Sequence, residues 1–504
     1  MKTIDSIKDE DVDLSLLKDI PLAFCKTNLI LPLRLENGSL LAAVTDENSI
    51  FALKELSENY SVKPSPFMMD RDLLAGSISR IYGQIGSAEE VMQNITGDDL
   101  SSVANEFEAP KDLLELTEEA PIIRLLNAML QQAVKERASD IHVEPFETDL
   151  DVRMRIDGIL DTVIRPPKII QDALISRIKI MANLDIAEKR LPQDGRIGIL
   201  VGGKDIDIRV SIIPTVFGER AVLRILDKKQ GLMSLIDVGF SEDQNRIFSG
   251  MLSKPNGIVL VTGPTGSGKT TSLYASLHSI YSVERNIITV EDPVEYQLRG
   301  IGQIQVNPQI GLTFASGLRS ILRQDPDIIM VGEIRDVETA DIAIHASLTG
   351  HLVLSTLHTN DAASAVTRLL EMGVEPFLVS SSLIGVLAQR LVRMICRHCK
   401  KEYEPDEGEK QYFSEPPEKL CKGEGCKRCK HTGYHGRIGI FEIMSVNERI
   451  RPLISRKLDA STIRESAIKN GMQTLHSSGL KKVLEGVTTL SEVLRVTQKD
   501  YADI

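Results

Sequence analysis

The chain has 504 residues, of which 42% are hydrophobic, and a formal net charge of −12; this length predicts about three or four domains. Its apolar stretches fall well short of the roughly 18 residues that a membrane-spanning helix needs, and the acidic, charged residues 1–20 exclude a signal peptide. The negative charge argues against a nucleic-acid-binding protein. We therefore expect a cytoplasmic protein that binds no nucleic acid and reaches a membrane only through partner proteins.

Residues 1–86 are predicted to form a small α/β domain. Apolar and polar residues alternate at 29–35 and 40–44, as in strands, and residues 72–82 have a helical pattern. Residues 87–120 contain ten acids and one base. So acidic a composition is typical of a solvated linker.

Two larger domains are predicted after the linker. In residues 121–230, a helical pattern is followed by strands at 150–156 and 206–210, in which apolar residues alternate with charged ones. In residues 235–504 the apolar runs are short and nearly continuous, which is typical of a parallel sheet covered on both faces. A cysteine-rich insert, residues 396–429, lies within this last domain, and helices end the chain.

A phosphate-binding loop follows the first buried run of the last domain. Residues 263–270, GPTGSGKT, fit the pattern GxxxxGK[ST] between a strand and a helix. In such a loop the backbone N–H groups surround the β-phosphate, Lys269 bridges the β- and γ-phosphates, and the Thr270 hydroxyl ligates Mg²⁺. The alternatives are a chance match to the pattern and a degenerate loop that binds ATP without hydrolysing it. The residues predicted to bind the nucleotide are Gly263, Pro264, Thr265, Gly266, Ser267, Gly268, Lys269, Thr270 and Thr271.

Two acids follow later buried runs, at the strand ends where ligands gather in open α/β sheets. Glu295 comes after the run 287–290, and Glu333 comes after the run 328–331. Hydrolysis needs an acceptor near the attacking water and an anchor for Mg²⁺. We therefore predict that Glu295 and Glu333 have these catalytic roles.

Two histidines, His351 and His358, flank a third buried run, residues 352–356. Histidine at this point could sense the γ-phosphate, so both residues are candidates for nucleotide binding. The alternative is a pair of structural histidines.

Five of the six cysteines lie between residues 396 and 429. Clustering of this kind in a cytosolic chain indicates a metal site rather than disulfides. Tetrahedral zinc takes four soft ligands, and each CxxC turn brings two sulfurs to one centre. Cys421 could replace Cys426. The sequence therefore predicts a closed, structural zinc site whose ligands are Cys396, Cys399, Cys426 and Cys429.

These motifs resemble those of the ATPases of type II secretion and type IV pilus systems, and most closely the type II secretion branch. The match is strong from about residue 120 to 445 and weaker from 20 to 84. The segments that carry it are the P-loop, TVEDPVE at 289–295, DIIMVGEIR at 327–335, TGHLVLSTLHT at 349–359, ASDIHVE at 138–144 and LPQDGR at 191–196.

The resemblance implies an α/β fold, with a RecA-like P-loop ATPase domain preceded by a PAS-like α/β domain and a small N-terminal α/β domain. It implies a homo-hexameric motor, peripheral at the cytoplasmic face of the inner membrane, that uses ATP and Mg²⁺ to drive pseudopilus assembly and protein export. The first domain would dock on the cytoplasmic domain of an inner-membrane platform protein.

Arg209 and Arg224 look like the family's arginines that reach the nucleotide from the PAS-like domain, in cis or in trans. The alternative is that they pair with acids such as Asp207 on an exposed sheet face. Three other functions also remain open: a type IV pilus extension ATPase, an ATP-gated scaffold and a nucleic-acid translocase. The two catalytic acids argue against the scaffold, and the net charge argues against the translocase.

Overall fold

The structure is a computed structural model, and the chain in it divides into two compact units, Met1–Gln230 and Gly231–Ile504. The predicted acidic linker, residues 87–120, lies outside the described residues. Those are residues 2–3, 7, 11–17, 20, 22–36, 38–82, 121–202, 204–227 and 233–497.

The first unit begins with a small α/β domain. Its elements are β1 (Lys2–Thr3), α1 (Leu14–Leu17), α2 (Leu22–Asn28), β2 (Ile30–Glu36), β3 (Ser39–Val44), α3 (Glu47–Asn59), β4 (Lys63–Met68) and α4 (Arg71–Tyr82). The sheet order is β1-β4-β3-β2, and β3 is antiparallel to β2 but parallel to β4. The two strands and the helix predicted for this domain are confirmed, whereas β1, α1, α2, α3 and β4 were not predicted.

A six-stranded sheet forms the second part of this unit. Its elements are α5 (Pro121–Lys135), β5 (Asp140–Pro145), β6 (Leu150–Ile156), β7 (Ile159–Ile164), α6 (Gln171–Met181), β8 (Gln193–Val201), β9 (Lys204–Thr215) and β10 (Gly218–Asp227). The strand order is β7-β6-β5-β10-β9-β8, and all neighbours are antiparallel. On β9, Ile206, Ile208 and Val210 are buried, while Asp207 and Arg209 between them are half-buried. This confirms the predicted alternation.

The second unit contains the remaining elements. Its strands are β11 (Gly257–Thr262), β12 (Ile287–Glu291), β13 (Gly302–Gln305), β14 (Ile328–Val331), β15 (Leu352–Leu357), β16 (Leu383–Ile395), β17 (Lys400–Tyr403), β18 (Leu420–Gly423) and β19 (Tyr434–Ser445). Its helices are α7 (Leu235–Val238), α8 (Glu242–Leu252), α9 (Lys269–Ile280), α10 (Phe314–Ile321), α11 (Val337–Leu348), α12 (Ala362–Glu371), α13 (Pro376–Ser382), α14 (Glu407–Lys410), α15 (Arg451–Ser455), α16 (Ala460–Lys469), α17 (Leu475–Leu484) and α18 (Leu490–Thr497).

A seven-stranded sheet in the order β13-β12-β14-β15-β11-β16-β19 organises the second unit. Its strands are parallel except β19, which pairs antiparallel with β16. Successive residues of β11 point to opposite faces of the sheet and pack in different hydrophobic clusters. Ile258 belongs to one cluster and Val259 to another. Both faces are therefore covered, which explains the nearly continuous apolar runs. All parallel strands end at the same edge, and this positions the candidate site.

The last helix, α18, is joined to β16 by a buried carboxylate. Glu492 is 2% exposed and accepts hydrogen bonds from Arg393 Nη2 at 2.6 Å and Arg495 Nη2 at 2.8 Å. Burial alone would raise the pKa of Glu492, but the bonds from the two arginines lower it to about 2. The ion pair therefore stabilises the fold as long as Glu492 is ionised.

Within the described ranges, no helix combines the length and the apolar character needed to cross a bilayer.

We expect Glu492→Gln to lower the stability of the second unit by about 3 kcal/mol at neutral pH, because two arginines lose a buried partner. Since the folded pKa lies below the ordinary value, the wild-type advantage is complete above about pH 4.5 and is lost as pH falls towards 2. Thermal unfolding of both proteins between pH 7 and pH 3 measures this. Glu448→Gln, which removes an exposed partner of Arg451, is the control and should change little. A difference between wild type and Glu492→Gln that is independent of pH would contradict the assignment.

Candidate active site and metal centre

The P-loop joins the buried strand β11 to helix α9. Gly263 and Gly268 have φ angles of 148° and 88°, and neither position has room for a side chain. A Cβ atom would lie 2.5 Å from the Gln389 carbonyl oxygen at Gly263, and 2.8 Å from Gln389 Nε2 at Gly268. Of the predicted nucleotide-binding residues, Gly263 and Ser267 are buried, Pro264, Gly268, Lys269 and Thr271 are half-buried, and Thr265, Gly266 and Thr270 are exposed.

The side chain of Lys269 folds over the loop. Its Nζ donates to the carbonyl oxygens of Gly263, at 2.7 Å, and Pro264, at 3.2 Å. Burial lowers the pKa of Lys269 to about 8, and the negative charge of Glu333 opposes this shift. The ammonium group therefore lies within the loop, close enough to the predicted catalytic acid Glu333 for the two charges to interact.

Glu333 lies just beyond the end of β14, at the edge of the sheet that carries the P-loop. Its carboxylate accepts hydrogen bonds from Arg335 and, at 3.3 Å, from His358 Nε2. Arg335 Nη1 also lies 3.7 Å from Asp292 Oδ2, just after β12. The carboxyl ends of β12, β14 and β15 thus bring acids and bases together at one edge of the sheet.

A buried acid that the sequence analysis did not select lies behind this edge. Glu291 ends β12, is 3% exposed, and accepts hydrogen bonds from Tyr274 at 2.5 Å, Thr289 at 2.5 Å and Gln303 at 3.1 Å. Burial and the charge of Glu291 raise the pKa of Tyr274 above its ordinary value, so this hydroxyl stays a donor. Glu291 is the structural acid of the TVEDPVE segment.

Glu295 follows four residues later and is half-buried. Its backbone N–H donates to the Tyr274 hydroxyl at 3.3 Å. Because Tyr274 belongs to α9, the segment that carries Glu295 is attached to the helix that follows the P-loop.

The structure does not bring His351 to the P-loop within this chain, and its role in nucleotide binding stays a prediction. His351 precedes β15, and the pairing of Gly257 with Leu352 places it level with the start of β11. The P-loop follows the end of β11, so His351 lies at the opposite edge of the sheet. Its Nδ1 lies 2.8 Å from the Ala346 carbonyl oxygen, which indicates a structural role at the end of α11.

Arg209 and Arg224 are cross-strand neighbours on β9 and β10. Arg224 Nε donates to Asp140 Oδ1 at 3.0 Å, and Asp140 is shared with Arg155, whose Nε lies 3.7 Å away. The guanidinium group of Arg224 therefore pairs with an acid, although not with Asp207. Asp140 thus offsets the charge of Arg224, which lies opposite Arg209 in the sheet.

The four predicted metal ligands form one cluster. The Sγ atoms of Cys396, Cys399, Cys426 and Cys429 all lie within 4.8 Å of one another. Three of the sulfur–sulfur distances are 3.9, 3.8 and 3.7 Å. A tetrahedron with zinc–sulfur bonds of about 2.3 Å has edges of about 3.8 Å, so the cluster fits zinc. Cys421, on β18, is outside the cluster, so it does not replace Cys426.

Comparison with known proteins agrees with these features. The family model described as "Type II/IV secretion system protein" matches residues 115–495, and the model of the MshEN domain matches residues 4–88. Type II secretion system protein E of Pseudomonas aeruginosa is 48% identical over 95% of this chain and 96% of its own length. Type IV pilus assembly ATPase PilB of Myxococcus xanthus is 45% identical over 98% of this chain and 89% of its own length.

Among solved structures, the pilus retraction motor PilT with bound ADP is 26% identical, with a TM-score of 0.51, and the similarity covers 75% of this chain and 98% of that one. The family match spans most of the chain and the relatives align with it almost end to end. The chain therefore belongs to the type II/IV secretion system protein family and is an ATPase.

Proposed function

We propose that this ATPase hydrolyses Mg·ATP as a homo-hexameric motor of a type II secretion system, driving pseudopilus assembly and protein export across the outer membrane. The observation that carries the proposal is the 48% identity, over 95% of this chain, with type II secretion system protein E. Extension of a type IV pilus is the second candidate, since the pilus assembly ATPase PilB is 45% identical over a similar length.

The P-loop supplies the phosphate site in this proposal. Lys269 already lies beside the carbonyl oxygens of Gly263 and Pro264, and it transfers its hydrogen bonds to the β- and γ-phosphates when ATP binds. The Thr270 hydroxyl is the proposed ligand for Mg²⁺. When bound, this ion neutralises charge that develops on the γ-phosphoryl group.

Glu333 is the proposed acceptor for the attacking water. The hydrogen bonds from Arg335 and His358 hold its carboxylate at the carboxyl edge of the sheet. We assign Glu295 to the water shell of the Mg²⁺ ion, because its backbone is fixed to α9. His358 reports on the γ-phosphate through its contact with Glu333.

Arg209 and Arg224 are proposed to stabilise charge on the γ-phosphoryl group at a P-loop of this chain or of a neighbouring copy. Their adjacent positions on β9 and β10 support this role, because side chains opposite each other on one sheet face can contact the same phosphoryl group. A ring of six copies, docked through the N-terminal domain on the cytoplasmic domain of an inner-membrane platform protein, would place the motor at the cytoplasmic face of that membrane. No nucleic acid takes part.

The four-cysteine cluster is proposed to bind one structural Zn²⁺. The sulfur–sulfur distances support this assignment. The four thiolates close the coordination shell, so the ion stabilises the insert and takes no part in hydrolysis.

Lys269→Ala should abolish hydrolysis, because losing the phosphate contact raises the barrier by roughly 3–5 kcal/mol. Glu333→Gln should keep ATP binding but slow turnover by about 10² to 10⁴. Steady-state ATPase assays and nucleotide titrations measure both effects. Glu338→Gln, which removes an exposed partner of Arg319, is the matched control and should retain wild-type turnover. If Glu333→Gln hydrolyses ATP at the wild-type rate, Glu333 is not the catalytic acid.

Arg209→Ala and Arg224→Ala should bind ATP normally and turn it over about 10³-fold more slowly in the assembled ring. Arg165→Ala, which breaks an exposed ion pair with Asp151 on the neighbouring strand β6, is the control. Turnover is compared at saturating ATP and at several protein concentrations. Unchanged turnover in the two variants would mean that these arginines only form surface ion pairs.

Protein purified without chelator should contain about one zinc per chain. Cys396→Ser should lose the metal and destabilise the insert, whereas Cys421→Ser should keep it, because Cys421 lies outside the cluster. Elemental analysis measures the zinc, and thermal unfolding measures the stability of the insert. Full metal content in Cys396→Ser would refute the assigned ligands.

A further inference from the structure

Gln389 lies beneath the P-loop, although it is far from the loop in sequence. On β16 it follows Ala388, which pairs with Thr262 at the end of β11. This register places Gln389 beside Gly263, the first residue of the loop. The residue is 1% exposed, so its polar atoms can bond only with protein atoms or with a ligand held by the loop.

Gln389 contacts both ends of the loop and the helix that follows. Its backbone carbonyl oxygen occupies the space beside Gly263, and its Nε2 occupies the space beside Gly268. Ser272, in the first turn of α9, donates a hydrogen bond to Oε1 of Gln389 at 2.7 Å. Gln389 therefore packs against the P-loop and connects β16 to the first turn of α9.

The other amide atom of Gln389 is not used in this arrangement. Within the described part of the chain, Nε2 is buried and has no hydrogen-bond partner. A buried donor without an acceptor is unfavourable and is rare in folded proteins. At the other end of the loop, the carbonyl oxygens of Gly263 and Pro264 accept hydrogen bonds from Lys269, and nucleotide phosphates compete with them for the Lys269 ammonium group.

We propose that Gln389 is a positioning residue of the nucleotide site, which holds the P-loop and the first turn of α9 in the shape that binds a nucleoside diphosphate or triphosphate. Its Nε2, which is buried beside Gly268 and has no partner, is a donor that the loop can use once nucleotide binds. The assignment rests on the proposed function, because it requires the P-loop to bind nucleotide.

The test compares Gln389→Met and Gln389→Glu with wild type in the full chain. Methionine keeps the volume but removes the hydrogen bond from Ser272 and the Nε2 donor, while glutamate keeps an acceptor for Ser272 and replaces the donor by a carboxylate near the phosphates. We expect Gln389→Met to weaken Mg·ADP binding about tenfold, which corresponds to one hydrogen bond of about 1.4 kcal/mol. Gln389→Glu should bind still more weakly.

Two readouts distinguish positioning from a purely structural role. The KM for ATP should rise by the same factor as the Kd for Mg·ADP while kcat stays within about twofold, because the interaction is equal in the ground and transition states. Gln244→Met is the matched control: Gln244 is also buried, and its Nε2 donates to Phe441 and Ser478 in the same unit. This control should lower the melting temperature without changing the Kd.

A Kd within twofold of the wild-type value in both Gln389 variants would overturn the proposal and leave the proposed function intact. If the Gln389 variants do not fold, Ser272→Ala is the second test, because it removes only the hydrogen bond that orients the Gln389 amide. This variant should bind Mg·ADP severalfold more weakly than wild type. Wild-type affinity in Ser272→Ala would also overturn the proposal. A wild-type chain that does not bind Mg·ADP would refute the proposed function itself.

Discussion

The buried carboxylate of Glu291 sets the spacing of the elements that form the ATPase site. Its three donors come from α9, β12 and β13, so that helix and two strands must meet at one point. A buried polar group is tolerated only when its hydrogen bonds are satisfied, and a shift of α9 relative to the sheet would remove the Tyr274 donor from this carboxylate. The P-loop at one end of α9 and the segment that carries Glu295 are therefore held in fixed relation before any ligand binds.

The direction of the strands explains the rest of the site. The residues that follow parallel strands all lie at the same edge of the sheet. Asp292, Glu333 and His358 therefore lie close together although they are far apart in sequence. Arg335 joins two of these groups and balances their negative charge. Preorganised charges of this kind need little rearrangement during reaction. The same geometry requires residues that precede the strands, such as His351, to lie at the other edge.

Much of this arrangement could be predicted from the sequence, because the signals are local. The P-loop and the two CxxC pairs are short motifs, and the buried runs identify the parallel sheet. Glu291 was missed because it ends an apolar strand, where its pattern gives no sign of its partners. Strand β4 contains Pro64 and Pro66, which lack backbone N–H groups and are unusual in strands. The contact between Arg224 and Asp140 is set by the register of two strands, and the contact between Gln389 and the P-loop is set by which strand lies beside β11. Neither the register nor the strand order can be read from the periodicity of the sequence.

Strand β16 is longer than the other parallel strands of its sheet. It runs for 13 residues, and Cys396 of the four-cysteine cluster follows it directly. At about 3.3 Å per residue, the seven steps from Gln389 to Cys396 span about 23 Å. A continuous, hydrogen-bonded strand is stiff along its axis, and it is supported over most of this distance by β19. The cysteine insert and the floor of the P-loop are thus joined by a single β-strand, with no loop between Gln389 and Cys396.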